Sequence, residues 1–370
     1  MRIVIAPDKF AGTLSAIEAA EAVALGWRDS RPQDETATVP LSDGGPGFVE
    51  VLHAALGGKT VAERVTGPLG EAVSAEYLLD GETAYIESAQ ACGLHLVPED
   101  RRDPGRTTSR GVGELIARAV AAGARTVVVG LGGSSTNDGG AGMLAALGAA
   151  SGGTLDQGGA PLAELSSVDL EPARRAVQGV RLVAATDVDN PLLGEHGASA
   201  VFGPQKGADP GQVRALDAAL TVFAEATDPL GGLRVEPGAG AAGGLGFALL
   251  LLGGTVESGV ARVLSAVDLD GLAAGADLLI TGEGSFDFQS LRGKLPHGVA
   301  QVAAAHGVPC VVTAGVASVD PDEAAAAGVT ATYSLVESAG SKEAAMARSA
   351  EELRRLAAAI ASGAPESLGG

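Results

Sequence analysis

A chain of 370 residues is longer than most single domains, and with 46% apolar but only 3% aromatic residues its core must be built from Ala, Val, Leu and Ile, as in tight helix-on-sheet layers. The formal net charge of -20, with no long run of Lys or Arg, argues against nucleic acid as a partner. The longest strongly apolar stretch, 245–252, is far short of the roughly 20 residues that span a bilayer, and the N-terminus enters a strand with no signal-peptide layout, so no membrane partner and a cytoplasmic location are expected. Cys92 and Cys310 make no disulfide framework and have no metal-ligand spacing, and they read as buried small hydrophobes.

In chain order, residues 3–6 predict a strand, followed by a turn through Pro7 and Asp8. The helix after it opens with a capping box, Ser15-Ala-Ile-Glu18, whose hydroxyl and carboxylate satisfy free backbone donors. A strand over 37–41 leads into Ser42-Asp43-Gly44-Gly45 and an amphipathic helix over 48–56. This βαβα opening favours a parallel sheet with right-handed crossovers. The texture then changes: 59–65, 73–79 and 84–88 are short β-rich runs separated by Gly and Pro, the pattern of an antiparallel or mixed sheet. A helical pattern returns over 113–122, followed by a strand over 126–130, a glycine-rich loop, a short helix to Gly148, a surface turn over 151–160 and a strand over 181–186. The last third alternates again, with strands over 277–281, 309–314 and 330–335, Ala-rich helices between them, and one charged helix over about 342–361. The predicted fold is α/β with two domains: a doubly wound, Rossmann-like parallel sheet built from both chain ends, 1–60 plus 275–370, and an inserted mixed α/β domain, 61–274. The active site is expected in the cleft between them, and the 126–130 strand is open to either.

Ligands of open parallel sheets sit beyond the carboxyl ends of the strands. Polar residues gather at those ends: Asp8 and Lys9, Ser42 and Asp43, the run Gly132, Gly133, Ser134, Ser135, Thr136, Asn137, Asp138, then Asp187, Asp189 and Asn190, and finally Glu283, Ser285 and Asp287. Any one such group could simply cap a helix; five carrying carboxylates point to a site. The 130–142 run lets backbone approach a bound anion, or makes a tight strand-to-helix turn. Gly238-Ala-Gly-Ala-Ala-Gly243 matches the dinucleotide fingerprint in letters, but no convincing strand precedes it, so a nicotinamide-dependent oxidoreductase is a weak alternative. No Walker A sequence is present: Gly293-Lys294 lacks the upstream glycine and the following hydroxyl. Lys9, Lys206, Arg292 and Lys294 are the cations in strand-end or glycine-rich settings, and the five histidines lack ligand spacing. Phosphoryl transfer would need such cations, a divalent ion and a base for the attacking hydroxyl.

The combination of segments resembles the type 1 glycerate kinase family: Ile3-Val-Ile-Ala-Pro-Asp8, Asp43-Gly-Gly, the whole 130–142 run, Asp187-Val-Asp-Asn-Pro-Leu192, Phe202-Gly-Pro-Gln-Lys-Gly-Ala208, Gly238–Gly246, Ile280-Thr-Gly-Glu-Gly284 and Gly293-Lys294, in family order over nearly the whole chain. The resemblance implies ATP with Mg2+ and D-glycerate as acceptor, the product being 2-phosphoglycerate in preference to 3-phosphoglycerate; a monomer or a homodimer is expected, the sequence leaving the choice open. On that basis Asp8, Lys9, Asp187 and Asp189 are the candidate catalytic residues, and Glu283, Asp287 and Asp187 the candidate metal ligands. ATP phosphates are expected over Gly132–Asp138, with Ser42, Asp43, Asn190, Gln205, Lys206, Arg292 and Lys294 as further substrate or phosphate contacts. Three segments depart from the commoner family form: Asp8-Lys-Phe-Ala-Gly12 shifts a lysine by two positions, Asp43-Gly-Gly-Pro-Gly-Phe48 lacks a carboxylate and a hydroxyl, and Gly282-Glu-Gly-Ser-Phe-Asp287 lacks a basic residue. These bear on substrate preference, and the alternatives are a kinase of a related small hydroxy acid or a non-catalytic hydroxy-acid sensor.

Overall fold

The computed structural model describes residues 1–10, 12–291 and 294–367. The chain divides into two compact units, one of Met1–Asp43, Glu50–Leu56 and Val260–Gly370, the other of Gly44–Val49 and Gly57–Gly259.

In the first unit five strands, all parallel, lie in the spatial order Ala331–Ser334, Cys310–Ala317, Leu278–Phe286, Arg2–Ile5, Glu35–Thr38. Ile3, Val4 and Ile5 and their neighbours Leu278, Leu279 and Ile280 are buried, the continuous apolar pattern of a sheet covered on both faces. The capping box forms as expected: the Glu18 N–H donates to Ser15 Oγ at 3.2 Å, and the Ser15 N–H to Glu18 Oε2 at 2.8 Å. The helix it opens, Ala16–Ser30, packs on the terminal helix Ser349–Ser367. Their backbones touch at Gly26, where an added Cβ would lie 2.0 Å from the Arg354 carbonyl oxygen. Trp27 is fully buried there, donating Nε1–H to Asp34 at 3.0 Å. The single helix expected over 342–361 is two, Lys342–Ala347 and Ser349–Ser367, because the backbone leaves helical angles at Arg348 (φ -138°, ψ 42°). Residues 260–274, read from sequence with the inserted domain, group with the chain ends, since Gly298 of the helix Leu295–Ala305 packs directly on Val260.

The second unit holds a six-stranded mixed sheet in the order Thr255–Glu257, Arg181–Ala185, Thr126–Gly130, Thr83–Glu87, Ala72–Asp80, Lys59–Thr66. The first four are parallel and the last two run antiparallel to their neighbours, so the glycine-punctuated segments form hairpins as their pattern predicts. The 126–130 strand lies here, between Thr83–Glu87 and Arg181–Ala185. Its core joins Ile86, Val127 and Val129 to Leu115 and Ile116 of the helix Arg110–Ala121 and to Phe223 and Phe247. Both cysteines are free and buried, and among the described residues no helix is long and apolar enough to cross a membrane.

Candidate active site

The order of the five-stranded sheet reverses at the strand Arg2–Ile5: the chain moves one way to Glu35–Thr38 and returns on the other side at Leu278–Phe286. Such a switch point leaves a crevice beyond the carboxyl ends of the two central strands. Backbone pairing runs past the end of the first strand, with Ala6 N–H donating to the Ile280 carbonyl at 2.7 Å and Asp8 N–H to the Gly282 carbonyl at 2.8 Å. Two buried hydroxyls pin the same ends, Thr281 Oγ1 donating to the Ala6 carbonyl at 2.8 Å and Thr313 Oγ1 to the Thr281 carbonyl at 3.2 Å. Gly282 has no room for a side chain, since a Cβ would lie 2.4 Å from the Thr313 carbonyl oxygen.

This framework sets Asp8, Lys9, Asp43 and Glu283 around one cavity of about 490 Å³. Lys9 Nζ lies 3.1 Å from Asp43 Oδ1 and 3.5 Å from Asp8 Oδ1, and the Lys9 N–H also donates to Asp8 Oδ1 at 2.7 Å. Burial raises the Asp8 carboxyl to about 7; Asp43 adds repulsion, Lys9 and its backbone N–H oppose the rise, and Glu283 adds a smaller push upward. Glu283 is also raised to about 7 by burial, against a hydrogen bond from Ser290 and the Lys294 charge, with Asp287 and Asp43 adding repulsion. Its Oε1 is buried without a hydrogen-bond partner. Burial works against the Lys9 charge, but Asp43 and Asp8 hold its pKa above the ordinary lysine value. Two carboxyls that exchange protons near neutrality beside a fixed ammonium can take a proton from a hydroxyl and hold an anion. Lys294 lines the same cavity, whereas Arg292 lies outside the described residues. Asp287 is half-buried and accepts the Gln289 N–H at 2.8 Å. Ser42, next to Asp43, is buried.

The glycine-rich loop of the second unit is organised differently from the open phosphate cradle expected of it. Ser134, Ser135, Thr136, Asn137 and Asp138 are all buried, leaving Gly133 exposed and Gly132 partly so. Lys206 is buried beneath them, its Nζ donating to Ser134 Oγ at 3.0 Å and to the Thr136 carbonyl at 2.7 Å. Burial lowers its pKa to about 8 against the opposing pull of Cys92 and Asp138. Asp138 accepts from the Ser109 N–H and Oγ–H and from the N–H groups of Gly140 and Gly142. Asn137 donates Nδ2–H to Ser199 at 2.8 Å. The second glycine run packs on this loop: Gly139 N–H donates to the Gly243 carbonyl, and a Cβ at Gly243 would lie 1.9 Å from the Thr136 carbonyl oxygen. The glycines of 238–243 therefore serve backbone-on-backbone packing, and a 3-10 turn at Leu233–Val235, not a strand, precedes them, which removes the basis of the dinucleotide alternative.

The remaining expected residues of this unit are more open. Asp187 is half-buried and bonded to Ser258, Asp189 and Gln205 are exposed, and Asn190 donates Nδ2–H to the His196 carbonyl at 2.8 Å. The metal set expected from sequence is not a ready-made cluster: Glu283 and Asp287 belong to the first unit and Asp187 to the second, and no group of three or more His, Cys, Asp or Glu side chains is arranged to hold a metal among the described residues. Phe48, one of the departures from the commoner family form, is fully buried edge-on to Tyr85, with ring centroids 6.3 Å apart, so that change serves packing.

A family model described as the glycerate kinase family matches residues 3–364. The chain belongs to the glycerate kinase family. It is 45% identical over 370 residues to the glycerate kinase of Bacillus subtilis (strain 168), covering 98% of this chain and 97% of that protein. It is 43% identical over 376 residues to the glycerate 2-kinase of Escherichia coli (strain K12), covering 98% and 99%. A crystal structure of a protein provisionally named glycerate kinase 2, from Salmonella typhimurium LT2, superposes with a TM-score of 0.80 at 41% identity, covering 98% of each chain. Within this glycerate kinase fold, sequence reasoning named Asp8, Lys9, Asp43, Glu283 and Lys294 of the cavity but missed Lys342 and the apolar side, formed by Val316, Leu335, Val336 and Met346. Those residues look like ordinary core positions in the sequence, and only the position of Val316 at the end of a strand hinted otherwise.

Proposed function

We propose that this chain transfers the γ-phosphoryl group of ATP to D-glycerate at the cavity formed by Asp8, Lys9, Asp43 and Glu283, yielding 2-phosphoglycerate, as the name of the Escherichia coli relative suggests for that protein. The observation that carries this reading is the pair of buried carboxyls, both raised to about 7, placed around a lysine at the switch point of a parallel sheet. In the reaction the acceptor hydroxyl oxygen bonds to the γ-phosphorus while the bond from that phosphorus to the β,γ-bridging oxygen breaks and ADP leaves. Asp8 takes the hydroxyl proton: a base is most effective with its pKa near the operating pH. Lys9 keeps its charge at every relevant pH and neutralises the anions drawn into a chain whose formal net charge is -20. The buried, unpartnered Oε1 of Glu283 suits a hard cation, and Mg2+ takes only one or two carboxylates alongside phosphate oxygens and water, so no closed cage is needed. Glu283 with Asp43 beside it would hold the ion, which supplies neutralisation of the β- and γ-phosphate charge when bound.

The test is ADP release coupled to D-glycerate with wild type and Asp8→Asn. Wild type should turn over, and the variant should lose about 100-fold or more of kcat while remaining folded, with a cooperative unfolding transition. A folded wild type that binds D-glycerate but releases no ADP would favour the sensor reading and end this one.

A further inference from the structure

The cavity beyond the Asp8 cluster has a second half, and we infer that it is the nucleoside slot, with the ATP phosphates running from it past Lys342 and Lys294 towards Asp8. The inference rests on the kinase reading above and replaces the buried glycine-rich loop as the nucleotide site. Its floor is bare backbone: a Cβ on Gly315 would lie 2.5 Å from the Gly284 carbonyl oxygen, so no larger side chain can occupy the two strand ends there. Its walls are apolar, with Val316 from the end of the strand Cys310–Ala317, Leu335 and Val336 from the start of the short helix Leu335–Ala339, and Met346 from the short helix Lys342–Ala347. Val316 and Met346 are 40% and 51% exposed, so the fold spends neither fully on its own core, and exposed apolar groups gathered in a concavity mark a place where a partner is bound.

The break at Arg348 creates this half of the cavity. A continuous helix from 342 to 361 would carry Met346 along one axis, whereas the observed chain turns, and Ser349 Oγ donates back to the Ala345 carbonyl at 2.8 Å to fix the corner. Two cations complete the slot. Lys342 and Lys294 both line the cavity, Lys294 near enough to Glu283 to pull its carboxyl pKa downward. Ammonium groups lining this cavity, in a chain with 45 acidic side chains, are suited to phosphate oxygens. The volume, about 490 Å³, falls within the roughly 300–1,000 Å³ of small-molecule sites. An amphiphile with an apolar flat end and an anionic chain matches the polarity of the two halves in order.

Calorimetric binding of ADP and of a non-hydrolysable ATP analogue, alongside separate KM values for ATP and D-glycerate, tests the assignment. Val316→Trp, which fills the slot from an exposed position, should weaken ADP binding at least tenfold. Lys342→Ala should weaken binding at least threefold, with a loss that grows from AMP to the ATP analogue, and the KM for D-glycerate should stay within twofold in both. Nucleotide affinities within twofold of wild type in both variants would overturn the slot even in an active glycerate kinase. Affinity lost in Val316→Trp, in a protein that never phosphorylates glycerate, would keep the slot and remove the proposed reaction.

Discussion

Replacing Glu283 by Gln should relieve a cost that the first unit carries at neutral pH and above. Burial lifts this carboxyl from 4.5 to about 7, with Ser290 and Lys294 pulling downward and Asp287 and Asp43 pushing further up. The folded chain therefore binds the proton more tightly than the unfolded chain. Its contribution to stability is complete below pH 4.5 and is lost as the pH rises through about 7. At about 1.4 kcal/mol per pH unit, the loss is about 3 kcal/mol by pH 8. Gln removes the charge but leaves a buried amide, whose desolvation costs about 1–3 kcal/mol at every pH. The discriminating quantity is thus the change with pH: the stability of the variant relative to wild type should rise by about 3 kcal/mol between pH 4 and pH 8. Urea unfolding can follow this through Trp27, the only tryptophan in the chain and fully buried in the same unit. Unfolding midpoints of the two proteins that move in parallel from pH 4 to pH 8 would refute the argument that burial holds the Glu283 carboxyl well above its ordinary pKa.

Lys9→Met removes the cation 3.5 Å from Asp8, which opposes the rise of its pKa. A charge at that range interacts by about 5 kcal/mol at an effective dielectric of about 20, so the acid limb of the kcat/KM profile should move up by at least about one pH unit. Gly26→Val drives a side chain into the Arg354 carbonyl across the helix pair and should lower stability by about 1–3 kcal/mol or more, measured by urea unfolding. Lys206→Met leaves Ser134 Oγ and the Thr136 carbonyl without their buried donor. Because the folded pKa of Lys206 is lowered from 10.5 to about 8, wild type should gain stability over this variant as pH rises from 8 towards 10.5, which a pH series of chemical unfolding would show.

The fold was legible where local rules act alone. The apolar strand ending before Asp8, the capping box at Ser15, and the change to short glycine-punctuated strands after residue 58 all appear in the structure as written in the sequence, whereas the strand expected over 277–281 runs on to Phe286 and carries Glu283 within it. The cluster at the switch point was legible for the same reason, since a parallel sheet brings strand ends together whatever separates them along the chain. The role of the 130–142 loop was not. A run of glycines, hydroxyls and one carboxylate has the same composition whether its donors face a phosphate or its own scaffold, and the partners that decide the matter, Ser109, Ser199 and Lys206, lie far away in sequence. The apolar half of the cavity was equally hidden, because it depends on one break, at Arg348, within a pattern that reads as continuous helix.

Phosphorus NMR of the product formed from D-glycerate and magnesium-ATP tests donor, acceptor and position together. A new 2-phosphoglycerate resonance that appears with wild type and is absent with Asp8→Asn is the predicted result. The same resonance growing at the wild-type rate in Asp8→Asn, or no phosphorylated glycerate from the folded wild-type protein, would contradict the account.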